Sequence, residues 1–258
     1  MNILFIGDIV GRAGRRAVRK ILPELQQDFE IDMIIANGEN AAGGFGLTEK
    51  VAKELYGYGI DCLTMGNHTW HNKNIFNFID NDEKLIRPLN YMPDLPGQGW
   101  TVIEKNGIKI GVINFIGQVY MQECNSPVMV YDNHISEIKA ASDLVVIDFH
   151  AEATGEKQAF AHYVDGDVAS VVGTHTHVQT SDEKILPKGT GFITDLGLTG
   201  AVDSILGMKK QKVIEKYITK LPGRYDVGTG QCQLEGVLVK IDEKSRKAVD
   251  ITRISRTD

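Results

Sequence analysis

The chain has 258 residues, 42% hydrophobic and 24% charged, enough for one large α/β domain or two small ones. That composition excludes disordered, collagenous and coiled-coil classes, and a formal net charge of −6 argues against non-specific binding to duplex DNA. Cys62, Cys124 and Cys232 lie far apart with no C-x-x-C pairing, which indicates neither a disulfide framework nor a thiolate zinc site.

Short apolar runs alternate with amphipathic stretches. "NILFIG" (2–7) reads as a strand and "RAVRKILPEL" (16–25) as a helix with Ala17, Val18, Ile21, Leu22 and Leu25 on one face. A strand at 32–37 follows, then a helix over 49–57 with Thr48 as its N-cap, then a strand at 60–66. Continuous apolar runs at 109–115, 143–149, 167–173 and 190–197 read as strands buried on both faces. The tail alternates in polarity at 235–242 and 247–254 around "EKSR", the pattern of an antiparallel hairpin. The Gly- and Pro-rich pieces 81–107 and 198–232 are expected to run over the active face or toward a partner. Without a repeat or linker, residues 1–258 read as a single layered α/β domain. "MNILFIGDIV" lacks the basic start of a signal peptide, and no run approaches the roughly 20 apolar residues of a membrane span. The expectation is a cytoplasmic protein without membrane contact, with a homo-oligomer left open.

In open α/β sheets ligands bind beyond the carboxyl ends of the strands. Here each apolar run is followed by a candidate ligand: Asp8, then Glu39 and Asn40, then Asn67 and His68, then His150, then His175 and His177. A spacing of two places His175 and His177 on one side of an extended segment. Either of these features alone has an ordinary reading as a cap, a turn residue or a surface histidine. Turn chemistry, however, gives no reason for imidazoles at two further strand ends. Oxygen and imidazole donors without sulfur suit Mn, Fe, Zn, Co or Mg. Seven candidates exceed the about four protein ligands of a tetrahedral site, so two ions sharing Glu39 are expected. A pair of ions about 3.5–4 Å apart clamps a phosphate for in-line displacement, and His68, not needed for coordination, is left to protonate the leaving oxygen or, as imidazolium, to steady the developing negative charge. His71, His134 and His162 follow no strand end and read as surface or core residues. "RAGRRAVRK" (12–20) reads as a solvated helix face, with Arg12 kept as a candidate substrate contact. "NAAGGFG" (40–46) is either a substrate-side loop or a long connection.

The blocks "GDIVG", "GEN", "GNH", "FHAE" and "GTHTH", in this order, resemble the calcineurin-like metallophosphoesterases, most closely the bacterial YmdB-type phosphodiesterases. The resemblance implies a two-sheet β-sandwich flanked by helices, a dinuclear centre and hydrolysis of small phosphodiesters, including 2′,3′-cyclic nucleotides. It assigns metal binding to Asp8, Glu39, Asn67, His150, His175 and His177. Two positions depart from the superfamily pattern: Val10 stands where a histidine is expected, and Glu39-Asn40 where an aspartate is. Asn40 is expected to supply the missing contact through its amide oxygen, which would favour Fe or Mn. A metal-loaded nucleotide sensor with little turnover and a phosphomonoesterase are the rival readings.

Overall fold

A computed structural model describes residues Met1–Asp258. The chain opens with β1 (Asn2–Ile6), the short β2 (Asp8–Ile9), α1 (Gly11–Asp28), β3 (Met33–Asn37), α2 (Glu49–Gly57), β4 (Cys62–Thr64) and β5 (Leu85–Ile86). Next come β6 (Trp100–Lys105), β7 (Ile108–Ile116), α3 (Pro127–Ala141), β8 (Leu144–His150), α4 (Thr154–Tyr163), β9 (Ser170–Thr174), β10 (Lys184–Ile185) and β11 (Gly191–Ile193). It closes with β12 (Leu198–Ala201), α5 (Lys210–Thr219), β13 (Cys232–Ile241) and β14 (Ala248–Thr257).

Two sheets result. The first has the order β2-β12-β13-β1-β3-β4-β5, with β14 on the other edge of β13, and the second is β10-β11-β9-β8-β7-β6. β1, β3, β4 and β5 run parallel, as do β7, β8, β9 and β11. Their apolar runs are buried on both faces because each sheet is covered twice: by the other sheet on the inside and by helices on the outside. Ile3, Phe5, Ile35 and Val237 of the first sheet meet Ile110, Val146 and Val172 of the second in one shared core. The helix face read from the sequence, Ala17 to Leu25, packs on the first sheet, while Phe160 and Ala161 of α4 pack on the second. This is the two-sheet, helix-flanked architecture anticipated above.

α1 starts at Gly11, ahead of the expected boundary at residue 16. Gly11 adopts φ 55°, and its N–H donates to Asn40 O at 2.9 Å, so the helix is seeded by the loop beside Asp8. Thr48 caps α2 as expected, its Oγ1 accepting from Val51 N at 3.3 Å. The expectation for 81–107 requires correction. That piece contains β5, which extends the first sheet beside β4, and β6, which pairs antiparallel with β7 from Trp100↔Ile113 to Lys105↔Ile108. Asn106 and Gly107, both at positive φ (53° and 76°), form the tight turn between them. The piece 198–232 contributes β12, paired with β2 and β13, and then α5, none of whose side chains is buried.

Candidate metal centre

The C-terminal ends of β1, β3 and β4 in one sheet and of β8 and β9 in the other face the same point. Asp8, Glu39 and His150 are buried there. Glu39 lies at the centre: His68 N–H donates to Oε2 at 2.8 Å, and Oε1 is 3.1 Å from His68 Nδ1 and 3.4 Å from His150 Nε2. Around His150 Nε2 stand Asn67 Oδ1 at 2.9 Å and His175 Nδ1 at 3.1 Å. Asp8 Oδ1 lies 3.5 Å from His177 Nε2, and Asp8 Oδ2 accepts from His175 N at 3.1 Å. All seven residues singled out as ligands reach this cluster.

Each histidine turns one nitrogen inward and has the other engaged outside. His150 Nδ1 is 2.9 Å from Thr174 Oγ1, which donates to Asp148 Oδ1 at 2.7 Å. His175 Nε2 is 3.1 Å from Glu152 Oε2, and His177 Nδ1 donates to Leu206 O at 3.1 Å. Such outer hydrogen bonds fix tautomer and ring orientation in metal sites. Asp8 Oδ1 is buried and makes no hydrogen bond, its only cationic neighbour being the His177 ring at 3.5 Å, so it keeps acceptor capacity that a carboxylate oxygen rarely leaves unused when buried. Gly66 has no side chain where one would collide with the His150 ring and the Glu39 carboxylate. The orphaned oxygen, the inward nitrogens and the oxygen–imidazole donor set together fit a divalent cation, and Glu39, His150 and His175 present ligand atoms within 4.8 Å of one another.

Strain marks the same segment. His175 and His177 have φ of 104° and 62°, a backbone region that costs non-glycine residues about 1–3 kcal/mol. A buried ion pair holds the segment: Lys157 Nζ donates to Thr174 O (2.8 Å) and to Asp195 Oδ2 (2.7 Å), and Asp195 Oδ2 also accepts from Thr176 N (3.0 Å). Burial opposes charge on Asp8 and Glu39, yet the neighbouring imidazoles hold both carboxyls below the ordinary range. Burial likewise opposes charge on His177, but the Asp8 carboxylate lifts it to about 9. Burial, reinforced by His150, takes His175 down to about 4. Burial pushes Asp148 up to about 6.

Asn40 arrives with the opposite end of its amide. Its oxygen is 2.6 Å from His68 Nδ1, and its nitrogen is 3.1 Å from Glu39 Oε1 and 3.2 Å from His177 Nε2. The expected oxygen contact requires the amide to be turned end for end. Val10 is buried in a small apolar cluster with Leu198 and Met208, which seats the loop carrying Leu206. A cleft of about 320 Å³ opens above the cluster between Phe45, His68, Glu152, Leu206 and Tyr225. Arg12 is exposed on the first turn of α1 and is not part of this wall. The 40–46 loop does line the cleft through Asn40, Gly44 and Phe45. His71, set aside from the sequence, belongs at the rim: its ring packs edge-on against His68 at 4.6 Å and stacks on Phe45 at 6.1 Å. Glu152, Lys157 and Asp195 were also missed, since no local pattern ties them to the histidines. His134 and His162 lie on α3 and α4 away from the site.

A model of the YmdB-like protein family matches residues 4–254. The chain belongs to this family. This YmdB-like protein is 47% identical over 258 residues to a Bacillus subtilis (strain 168) protein named 2′,3′-cyclic-nucleotide 2′-phosphodiesterase, covering 100% of the chain and 98% of the relative. A crystal structure described as a phosphatase from Mycoplasma pneumoniae superposes with a TM-score of 0.93 at 34% identity, covering 100% of this chain and 93% of that one. Haemophilus influenzae NAD nucleotidase shares the fold at a TM-score of 0.60 and 13% identity, covering 99% of the YmdB-like chain and 55% of the nucleotidase. No helix of the YmdB-like chain is long and apolar enough to cross a membrane.

Proposed function

We propose that this YmdB-like protein is a metal-dependent phosphodiesterase that opens 2′,3′-cyclic nucleotides and related small phosphodiesters. One observation carries the reading: oxygen and imidazole donors from five strand ends in two sheets gather around the buried Glu39 carboxylate, with Asp8 beside it. The name of the Bacillus subtilis relative supports the substrate class.

Asp8, Glu39, Asn67, His150, His175 and His177 are the residues assigned to hold the metal, with Glu39 facing both the Asn67–His150–His175 group and the Asp8–His177 group. A pair of Fe, Mn or similar ions bound there supplies Lewis acidity toward phosphate oxygens and lowers the pKa of water. The remaining chemistry belongs to the chain. Asn40 Oδ1 and Glu39 Oε1 both accept from His68 Nδ1, which fixes a hydrogen on that nitrogen. Nε2 is then the position that exchanges a proton with the substrate. In the reaction a water oxygen bonds to phosphorus and gives up one proton to solvent, the P–O2′ bond breaks, and O2′ takes a proton from His68 Nε2, which solvent then restores, leaving a 3′-phosphomonoester. Phe45, Leu206 and Tyr225 form an apolar wall for the nucleoside and exclude water from one side.

Elemental analysis of protein purified without chelator, together with manganese-supported hydrolysis of 2′,3′-cyclic AMP, tests the proposal. About two metal equivalents per chain and turnover lost in Asn67→Ala and His68→Ala are expected. A chain that holds no metal, or that binds metal without turnover, overturns it; the latter result favours a sensor.

A further inference from the structure

Residues 209–224 carry six basic side chains and one acidic one, Glu215, in a chain whose net charge is −6. The core does not account for this run, because α5 buries none of its side chains. Lys212, Glu215, Lys216 and Thr219 share one face of α5, and the segment 221–224 folds back along it to enclose a second groove of about 170 Å³ that Arg224 also lines. Lys212 Nζ pairs with Glu215 at 3.2 Å, so the groove keeps an excess of positive charge. It adjoins the catalytic cleft. Lys216 lines the groove and holds its ammonium 4.5 Å from the centre of the Tyr225 ring, and Tyr225 walls the cleft. A second aromatic, Tyr217, follows Lys216 in the chain outside the groove and is 75% exposed, with Lys220 Nζ 4.4 Å from its ring.

Cations set beside a half-buried ring (Tyr225) and an exposed one (Tyr217), next to a phosphoryl-transfer site, are elements of a single-strand nucleic-acid track, in which ammonium and guanidinium groups follow the backbone while bases stack. We propose that the α5 groove is a phosphate subsite, and that the substrate class includes short single-stranded oligonucleotides ending in a 2′,3′-cyclic phosphate. This rests on the phosphodiesterase reading for the cleft. The terminal cyclic phosphate sits at the metal centre, its nucleoside lies against Tyr225, and the next phosphate, on the 5′ side, meets Lys212, Lys216 and Arg224. A mononucleotide has no such phosphate and leaves the groove unused.

The test uses the full metal-loaded chain and a 5′-fluorescein-labelled triribonucleotide ending in a 3′-phosphate, the reaction product, so that binding is read without turnover. Fluorescence anisotropy compares the wild type with Lys212→Glu/Arg224→Glu, whose two positions are exposed and touch nothing in the cleft. Weakening of roughly fivefold in the variant, as for a pair of solvent-screened charge contacts, is expected. The wild-type affinity should also fall as salt is raised, while 2′,3′-cyclic AMP is hydrolysed equally by both proteins. Equal trinucleotide affinity in wild type and variant overturns the subsite. Failure to hydrolyse 2′,3′-cyclic AMP overturns the reading of the cleft instead and leaves the binding comparison decisive for the groove. Should the double reversal fail to fold by circular dichroism, Lys212→Gln/Arg224→Gln carries the same comparison.

Discussion

His68 has one nitrogen tied down and one free to work, and that asymmetry makes the roles of its neighbours separable. Replacing it by alanine should lower kcat by about 10²-fold or more, the usual weight of a general acid, while metal content by mass spectrometry stays at the wild-type level. Asn40→Ala is the sharper experiment. As an orienter of His68 Nδ1, Asn40 can be lost with the metal retained and kcat reduced; a ligand role predicts instead that metal is lost along with activity. The candidate site was legible from the sequence because strand ends in an α/β fold deliver consecutive residues to one edge, so Asp8, Asn67 and His175 could be placed together without coordinates. Glu152, Lys157 and His71 could not, because each reaches the site from a helix or a turn whose orientation only packing decides. The direction of the Asn40 amide was equally hidden, since it depends on which neighbour offers a hydrogen.

The elements that frame the centre carry their own tests. Lys157 ties α4 to the strained 174–177 segment, and both it and Asp195 are buried. Lys157→Met leaves Asp195 without its counter-charge, which should cost about 3–5 kcal/mol and lower Tm by on the order of 10 °C in a chain of this size, read by calorimetry. An unchanged Tm sinks the assignment. Beside β10, Asp182 accepts from the Thr194 hydroxyl at 2.5 Å and the Thr180 hydroxyl at 2.7 Å. Partial burial opposes its charge, but these hydrogen bonds hold the carboxyl below its ordinary value. A depressed folded-state pKa means stability that is present above the unfolded value near 4 and lost as pH falls through the folded one. Asp182→Asn should therefore unfold earlier in urea at pH 7, by about 1 kcal/mol, and the gap should close toward pH 3. Most strands were legible because strands buried on both faces read as unbroken apolar runs. β6 was not: its faces are unequally buried, and the "NG" turn signal at 106–107 lay at the end of a piece read as an excursion. α3 and α4 were missed for a related reason, each burying only three side chains.

At the scale of the whole molecule the centre straddles the two sheets. Asp8, Glu39 and Asn67 hang from one, and His150, His175 and His177 from the other. Beneath them Thr64 Oγ1 of the first sheet donates to Asp148 Oδ2 of the second at 2.5 Å. On the ligand assignment proposed above, a bound cation would fasten one sheet to the other. Stripping metal with EDTA should lower Tm, by about 2.7 kcal/mol of lost binding energy where the ion had been present at a hundred times its Kd, and manganese should restore it. A melting curve indifferent to chelator counts against the assigned ligands. The pairing of β2 reaches further. Asp8 sits on a strand whose only partner is β12, in register Leu198↔Asp8, and β1 beside it is flanked on one side by β13. The first carboxylate of the candidate centre is therefore seated only when a strand 190 residues further along the chain lies beside it. A cation site that includes Asp8 therefore needs both ends of that 190-residue span in place before it is complete.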